Sequence, residues 1–197
     1  MIEVLLASNN RAKVAELAAI DDPHVEIVSY REVSPEEIKT EETGKSYLEN
    51  ARLKAIDVAT KTGRLTIGDD SGIVLEGNPN ILGLYTMRYF REGVSDLEVN
   101  QELIRLADES GNRQFKLISS VVLVDALGQI LKESSNELSG TIAHEILGDA
   151  LGLDNVLIPD GESRSLAQMS IEERNEFSPR VIATRDVLKY FNDKVGN

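Results

Sequence analysis

Cysteine is absent from this chain of 197 residues, which removes disulfides and thiolate metal centres from consideration. Any metal must then be held by oxygen, a donor set that suits magnesium or manganese. Basic residues are scarce too: 21 Lys and Arg stand against 34 Asp and Glu, for a formal charge of −13. Neither a nucleic acid nor an anionic membrane is an expected partner, because both call for clustered Lys and Arg. A polyanion would have to be met in one small pocket. No apolar run approaches the roughly 18 residues of a membrane span, and Met1-Ile2-Glu3-Val4 has no basic n-region, so a cytoplasmic protein is expected. Of the two histidines, neither His24 nor His144 has partners at triad spacing. Linkers, repeats and low-complexity blocks are missing as well. One domain spanning residues 1–197 is expected, and 41% apolar residues give it a substantial core.

What the chain does have is a sequence of strand, polar loop and helix signals. Residues 2–7 read as a buried strand, Ser8-Asn9-Asn10 as a loop, and Arg11–Ile20 as a helix with apolar groups at Val14, Leu17, Ala18 and Ile20. Lys13 in the first turns of that helix suits a phosphate, since a helix start concentrates free N–H groups. Equally, Ser8 or Asn10 can simply cap the helix. A second strand over 25–30 and an acidic loop through Glu36, Glu37, Glu41 and Glu42 follow. Ser46 and Glu49 have capping-box spacing for a helix to about Lys61, with a core stripe at Tyr47, Ala51, Ala55 and Val58. Asn50 and Lys54, four apart on an adjoining face, can reach one ligand together.

The run from Thr66 to Ile73 holds Asp69-Asp70-Ser71-Gly72 between two apolar stretches, and is expected at a strand end or tight reversal. In extended backbone Asp69 and Asp70 point to opposite faces, so a shared ligand would need a kink, which Gly68 and Gly72 permit. Further on, Arg88 lies between Tyr85 and Tyr89. An amphipathic helix is expected over 96–109 (Leu97, Leu103, Ile104, Leu106), then a central strand over 115–127. A hairpin turn at Gly128-Gln129 follows, with a returning strand over 130–138 and another beginning at Gly140. Leu151–Gly161 reads as a strand-like loop, Ser170 and Glu173 as a capping box, and Pro179 as the first turn of the closing helix.

These pieces together resemble the inosine triphosphate pyrophosphatase family. The resemblance rests on Ser8-x-Asn10-x-x-Lys13, Glu41-Glu42-Thr43-Gly44, Glu49-Asn50-Ala51 with Lys54-Ala55, Asp69-Asp70-Ser71-Gly72 and Tyr85-x-x-Arg88-Tyr89. In the second half it continues through Gly140-x-Ile142, Leu151-Gly152-Leu153-Asp154, Pro159-Asp160-Gly161, Glu172-Glu173-Arg174-Asn175 and Ser178-x-Arg180. It implies a two-lobed α/β fold around a long mixed sheet flanked by helices, with an active-site cleft between the lobes and a homodimeric assembly. The implied activity is magnesium-dependent hydrolysis of a nucleoside triphosphate to monophosphate and pyrophosphate, on non-canonical purine nucleotides. Asp70, Asp69 and Lys54 would be catalytic, with Asp70 and Glu41 holding magnesium. Ser8, Asn10, Lys13 and Asn50 would bind substrate beside Lys54 and Ser71, while Leu151, Leu153, Asp154, Arg174 and Arg180 would meet the base.

The chain departs from the family in the base half. Where the family has aromatic residues on either side of a glycine, this chain has Leu151 and Leu153; Pro179 stands for a histidine and Arg174 for a lysine. Losing the rings removes about 0.5–1.5 kcal/mol of stacking preference. Altered or relaxed base choice is therefore expected. The alternatives are a hydrolase for another modified nucleotide and a catalytically silent nucleotide-binding protein of the same fold.

Overall fold

A computed structural model describes residues 1–90 and 93–195. In chain order its elements are β1 (Ile2–Leu6), α1 (Arg11–Ala18), β2 (Val25–Ser29), α2 (Tyr47–Thr62), β3 (Thr66–Leu75), α3 (Thr86–Tyr89) and α4 (Asp96–Ser110). They continue with β4 (Gln114–Val124), β5 (Ile130–Ile142), β6 (Leu157–Pro159), α5 (Ile171–Phe177) and α6 (Pro179–Val195). Among the described residues six strands join one sheet in the order β2-β1-β3-β4-β5-β6. β1 runs parallel to β2 and β3, and β5 runs antiparallel to β6, so the sheet is mixed and the expected α/β class is borne out. No helix among the described residues is long and apolar enough to cross a membrane.

The chain falls into two compact units. The first comprises Met1–Ser71, Ser119–Asn136 and the segment from Arg180 onward. Its strands alternate sides, and both sides are covered. Val4, Leu6, Ile67, Val121 and Leu123 pack with Leu17 of α1 and Val181, Val187 and Phe191 of α6. Intervening residues face the other way: Val122 and Val124 pack on Ala51, Ala55 and Ala59 of α2, and Leu5 packs on Tyr30 and Val58. Burial on both faces is why these strands read as continuous apolar runs rather than alternating ones. The second unit, Gly72–Ile118 with Glu137–Pro179, has its own core, in which Ile73, Leu75, Leu103, Leu106, Phe115, Ile142 and Leu157 meet.

Several expectations are corrected. Asp69-Asp70-Ser71-Gly72 is not a reversal but the middle of the unbroken strand β3, and neither Gly68 nor Gly72 has a positive φ. The strand expected to begin at Gly140 is the far end of β5, which carries on through Ile142 and pairs Gly140 with Pro159. Leu97, placed in an apolar stripe by its spacing, is 55% exposed, while Asn100 takes a buried position on the same helix. Tyr47 is only half-buried, and the α2 stripe is made by Ala51, Ala55, Val58 and Ala59. The side chains of Tyr85 and Arg88 lie outside the described residues; Tyr89 donates to Glu102 Oε1 at 2.6 Å.

Candidate active site

The site grows from the close approach of α2 to β3. A Cβ on Gly68 would stand 2.1 Å from the Ala51 carbonyl oxygen and 2.8 Å from the Ala55 Cβ, so only glycine lets the helix lie there. Ser46 starts that helix by accepting the Glu49 N–H at 3.1 Å. The reciprocal half of the expected capping box is absent, because the Glu49 carboxylate accepts from the Lys45 N–H instead, at 2.6 Å. With α2 seated, two of its side chains reach Asp70. Lys54 Nζ meets Asp70 Oδ1 at 2.7 Å, and Asn50 Nδ2 donates to Asp70 Oδ2 at 3.1 Å. Asn50 is fixed in turn by accepting the Gly44 N–H at 2.9 Å.

Because β3 stays extended, Asp69 turns to the opposite face and meets different elements. Its Oδ2 lies 2.6 Å from Lys13 Nζ of α1 and 3.2 Å from Arg180 Nε of α6. Arg180 also pairs with Glu16 and donates from Nη2 to Ser71 Oγ at 3.0 Å. Asp69 Oδ1 is buried without a hydrogen-bond partner. Burial alone would raise the Asp69 pKa, but Lys13 and Arg180 outweigh it and hold the carboxyl down to about 2. Lys13 is pulled below the ordinary lysine value by burial, with Arg180 and Lys54 adding to the effect and Asp69 opposing it. For Lys54 burial also works downward, yet Asp70 and Glu42 prevail and its pKa is raised. Tyr47, in the first turn of α2, has its hydroxyl pushed up to about 12 by burial and by the charge on Asp70.

Lys13, Asn50, Lys54, Asp69, Asp70, Ser71 and Arg180 thus gather in the first unit. Ser8 and Asn10 serve the start of α1: Ser8 Oγ accepts the Asn10 N–H at 3.1 Å, and Asn10 Oδ1 accepts the N–H groups of Ala12 and Lys13 at 3.0 and 3.2 Å. Glu41 is exposed, and the carboxylate beside Asp70 is that of Glu42, 2.8 Å from Lys54 Nζ. Leu151, Leu153, Asp154 and Arg174 lie in the second unit. There Leu151 is exposed, Leu153 packs half-buried on the core, and Arg174 pairs with Asp154 at 3.1 Å.

Sequence reasoning passed over Glu16 and Glu42. The signal for Glu16 was its spacing from Lys13, one helical turn away and so on the same face. Glu42 was hidden among four acidic residues of one loop, where nothing local separates a ligand from a solvated charge. Among the described residues no three His, Asp or Glu converge as a ready metal cage.

The Ham1 family model matches residues 4–190. The chain is 31% identical to a dITP/XTP pyrophosphatase of Gloeobacter violaceus, across 94% of this chain and 92% of that one. It is 33% identical to a dihydroneopterin triphosphate diphosphatase of Limosilactobacillus reuteri, across 93% and 95% of the two chains. Among solved structures, a HAM1 protein from Coxiella burnetii superposes with a TM-score of 0.80 at 25% identity, covering 98% of this chain and all of that one.

Proposed function

Since this chain belongs to the Ham1 family, we propose that it is a nucleoside triphosphate pyrophosphohydrolase that acts on non-canonical purine nucleotides. The membership bears out the resemblance drawn from the motifs. The observation that carries the reading is the Asp70 carboxylate, with one oxygen on Lys54 and the other on Asn50; the adjacent Asp69 holds Lys13 and Arg180 on the other face of the same strand.

In this reading water adds to the α-phosphorus as the bond to the α–β bridging oxygen breaks, giving nucleoside monophosphate and pyrophosphate. Such a reaction asks little covalent chemistry of the protein and much alignment and charge neutralisation. Asp70 accepts the proton of the attacking water, and Asn50 and Lys54 fix the orientation of its carboxylate. Lys13 and Lys54 supply the positive charge that an acidic chain otherwise lacks. Asp70, together with Glu42 or Glu41, would hold a magnesium ion. Bound there with the phosphates, magnesium would neutralise charge on the triphosphate and acidify the attacking water. The experiment is pyrophosphate release from inosine triphosphate in magnesium, with Asp70→Asn as the control; wild-type turnover in that variant would overturn the assignment.

A second reading is favoured by the similarity to a dihydroneopterin triphosphate diphosphatase. The same cut on a triphosphate bearing a pterin suits a base half in which Leu151 and Leu153 replace rings and Pro179 replaces a histidine. Comparing kcat/KM for inosine, xanthosine and dihydroneopterin triphosphates separates the two.

A further inference from the structure

The backbone at Ala150 and Gly152 is held by side chains, while the carbonyls of Asp154 and Asn155 accept the backbone N–H groups of Ala167 and Leu147. Asp96 and Asn100, four apart on α4, take both backbone groups of Gly152. The Gly152 N–H donates to Asp96 Oδ2 at 2.8 Å, and Asn100 Nδ2 donates to the Gly152 carbonyl at 3.0 Å. Asn155 does the same for Ala150, accepting its N–H at 2.8 Å and donating to its carbonyl at 2.7 Å. Asn100 and Asn155 are 1% and 5% exposed. Gly152 sits at φ +74° with open space around it, so its backbone shape, rather than crowding, demands glycine.

Burying a carboxamide is unfavourable unless its hydrogen bonds are made, and the Asn100 Oδ1 is left without a partner. An apolar residue would fill that core position better, unless the Gly152 carbonyl needs the donor. Between the two tied residues stands Leu151, 66% exposed, on backbone that cannot easily rearrange. Surfaces fixed in advance bind without the entropy cost of being ordered.

We propose that Asp96, Asn100 and Asn155 are positioning residues that hold the Leu151–Asp154 loop in the shape that receives the nucleobase. They set the affinity for the base without touching it or the phosphates. The inference rests on the reading above, in which this loop meets the base.

Calorimetry on the full chain in magnesium tests it, with the α,β-imido analogue of inosine triphosphate as one probe and inorganic tripolyphosphate, which carries no base, as the other. Asn100→Ala and Asp96→Ala each weaken the nucleotide analogue roughly tenfold and leave tripolyphosphate unchanged, the size expected for one lost hydrogen bond. Asp96→Asn, which keeps an acceptor for the Gly152 N–H, restores affinity. Asp96 is exposed, so its variants keep the test open should Asn100→Ala fail to fold. Equal weakening of both probes, or an unchanged nucleotide affinity, overturns the proposal, as does a wild type that binds no nucleotide. Pyrophosphate release by the wild type is read separately. A chain that releases none, yet loses nucleotide affinity in the variants, overturns the hydrolytic reading and leaves this one standing.

Discussion

Asp69 and Asp70, adjacent in β3, are committed to different cations: Asp69 Oδ2 lies 2.6 Å from Lys13 Nζ, and Asp70 Oδ1 lies 2.7 Å from Lys54 Nζ. The two carboxylates therefore differ in what their removal does. Asp70→Asn abolishes pyrophosphate release and is expected to cost less stability than Asp69→Asn, since Lys54 keeps Glu42 as a partner. Asp69→Asn leaves Lys13 and Arg180 buried without their shared anion and costs about 3–5 kcal/mol, read by urea denaturation.

Acid should act through Asp69. Its folded pKa of about 2 lies below the ordinary value of 3.8, so its stabilising contribution is complete above pH 4 and lost as pH falls toward 2. The wild type is thus expected to lose stability across that window, and Asp69→Asn to lose less of it. Melting temperatures measured between pH 5 and pH 2 give the comparison.

Gly68→Ala presses a methyl group against the Ala51 carbonyl, which is backbone and cannot turn aside. Overpacking of this kind costs about 1–3 kcal/mol. Because α2 must retreat, and with it Asn50 and Lys54, kcat should fall at least tenfold even where the variant remains folded. A normal kcat with a lowered melting temperature would mean that the site tolerates the shift.

Arg180 engages Asp69, Glu16 and Ser71 through separate nitrogens. A lysine offers a single ammonium and cannot reproduce the fork. Arg180→Lys is accordingly expected to destabilise the fold by about 2 kcal/mol or more, with the ratio of kcat/KM between inosine and xanthosine triphosphates unchanged. A large change in that ratio would return Arg180 to the base-reading role that the motif resemblance implies.

Tyr30 is buried at 1% exposure, and its hydroxyl donates to Asn9 Oδ1 at 2.7 Å while accepting the Ile38 N–H at 3.1 Å. It ties the loop before α1 to the acidic loop that carries Glu41 and Glu42. Tyr30→Phe removes both bonds and leaves the half-buried Ile38 N–H without its acceptor, while the exposed Asn9 turns to water, at a cost of about 1 kcal/mol. The magnesium concentration for half-maximal activity should rise.

The motifs disclosed residues of the first unit because phosphate and carboxylate chemistry leaves compact signatures: Lys13 meets Asp69 on one face of β3, and Asn50 and Lys54 meet Asp70 on the other. Their backbone setting was less legible. Asp, Ser and Gly are turn residues by local preference, and only the packing of α2 on Gly68 explains why they occupy a strand interior. Gly140 misled for a related reason. Its missing side chain marks the close approach of Ile158, whose carbonyl oxygen would lie 2.1 Å from an added Cβ, and not a strand boundary. Asn100 acts through a partner more than 50 positions away, which no local spacing reveals, and for Glu16 the spacing from Lys13 marks a shared helix face but not its distant partner Arg180.

β3 is an interior strand, with β1 on one side and β4 on the other. Segments that bear functional groups are commonly among the first to open in a native protein, but this one cannot part from its neighbours without unzipping the sheet. Amide exchange with deuterium should therefore be slowest around Thr66 and Ile67, where β3 pairs with β1. The backbone that presents Asp69 and Asp70 is thus also backbone that holds the sheet together.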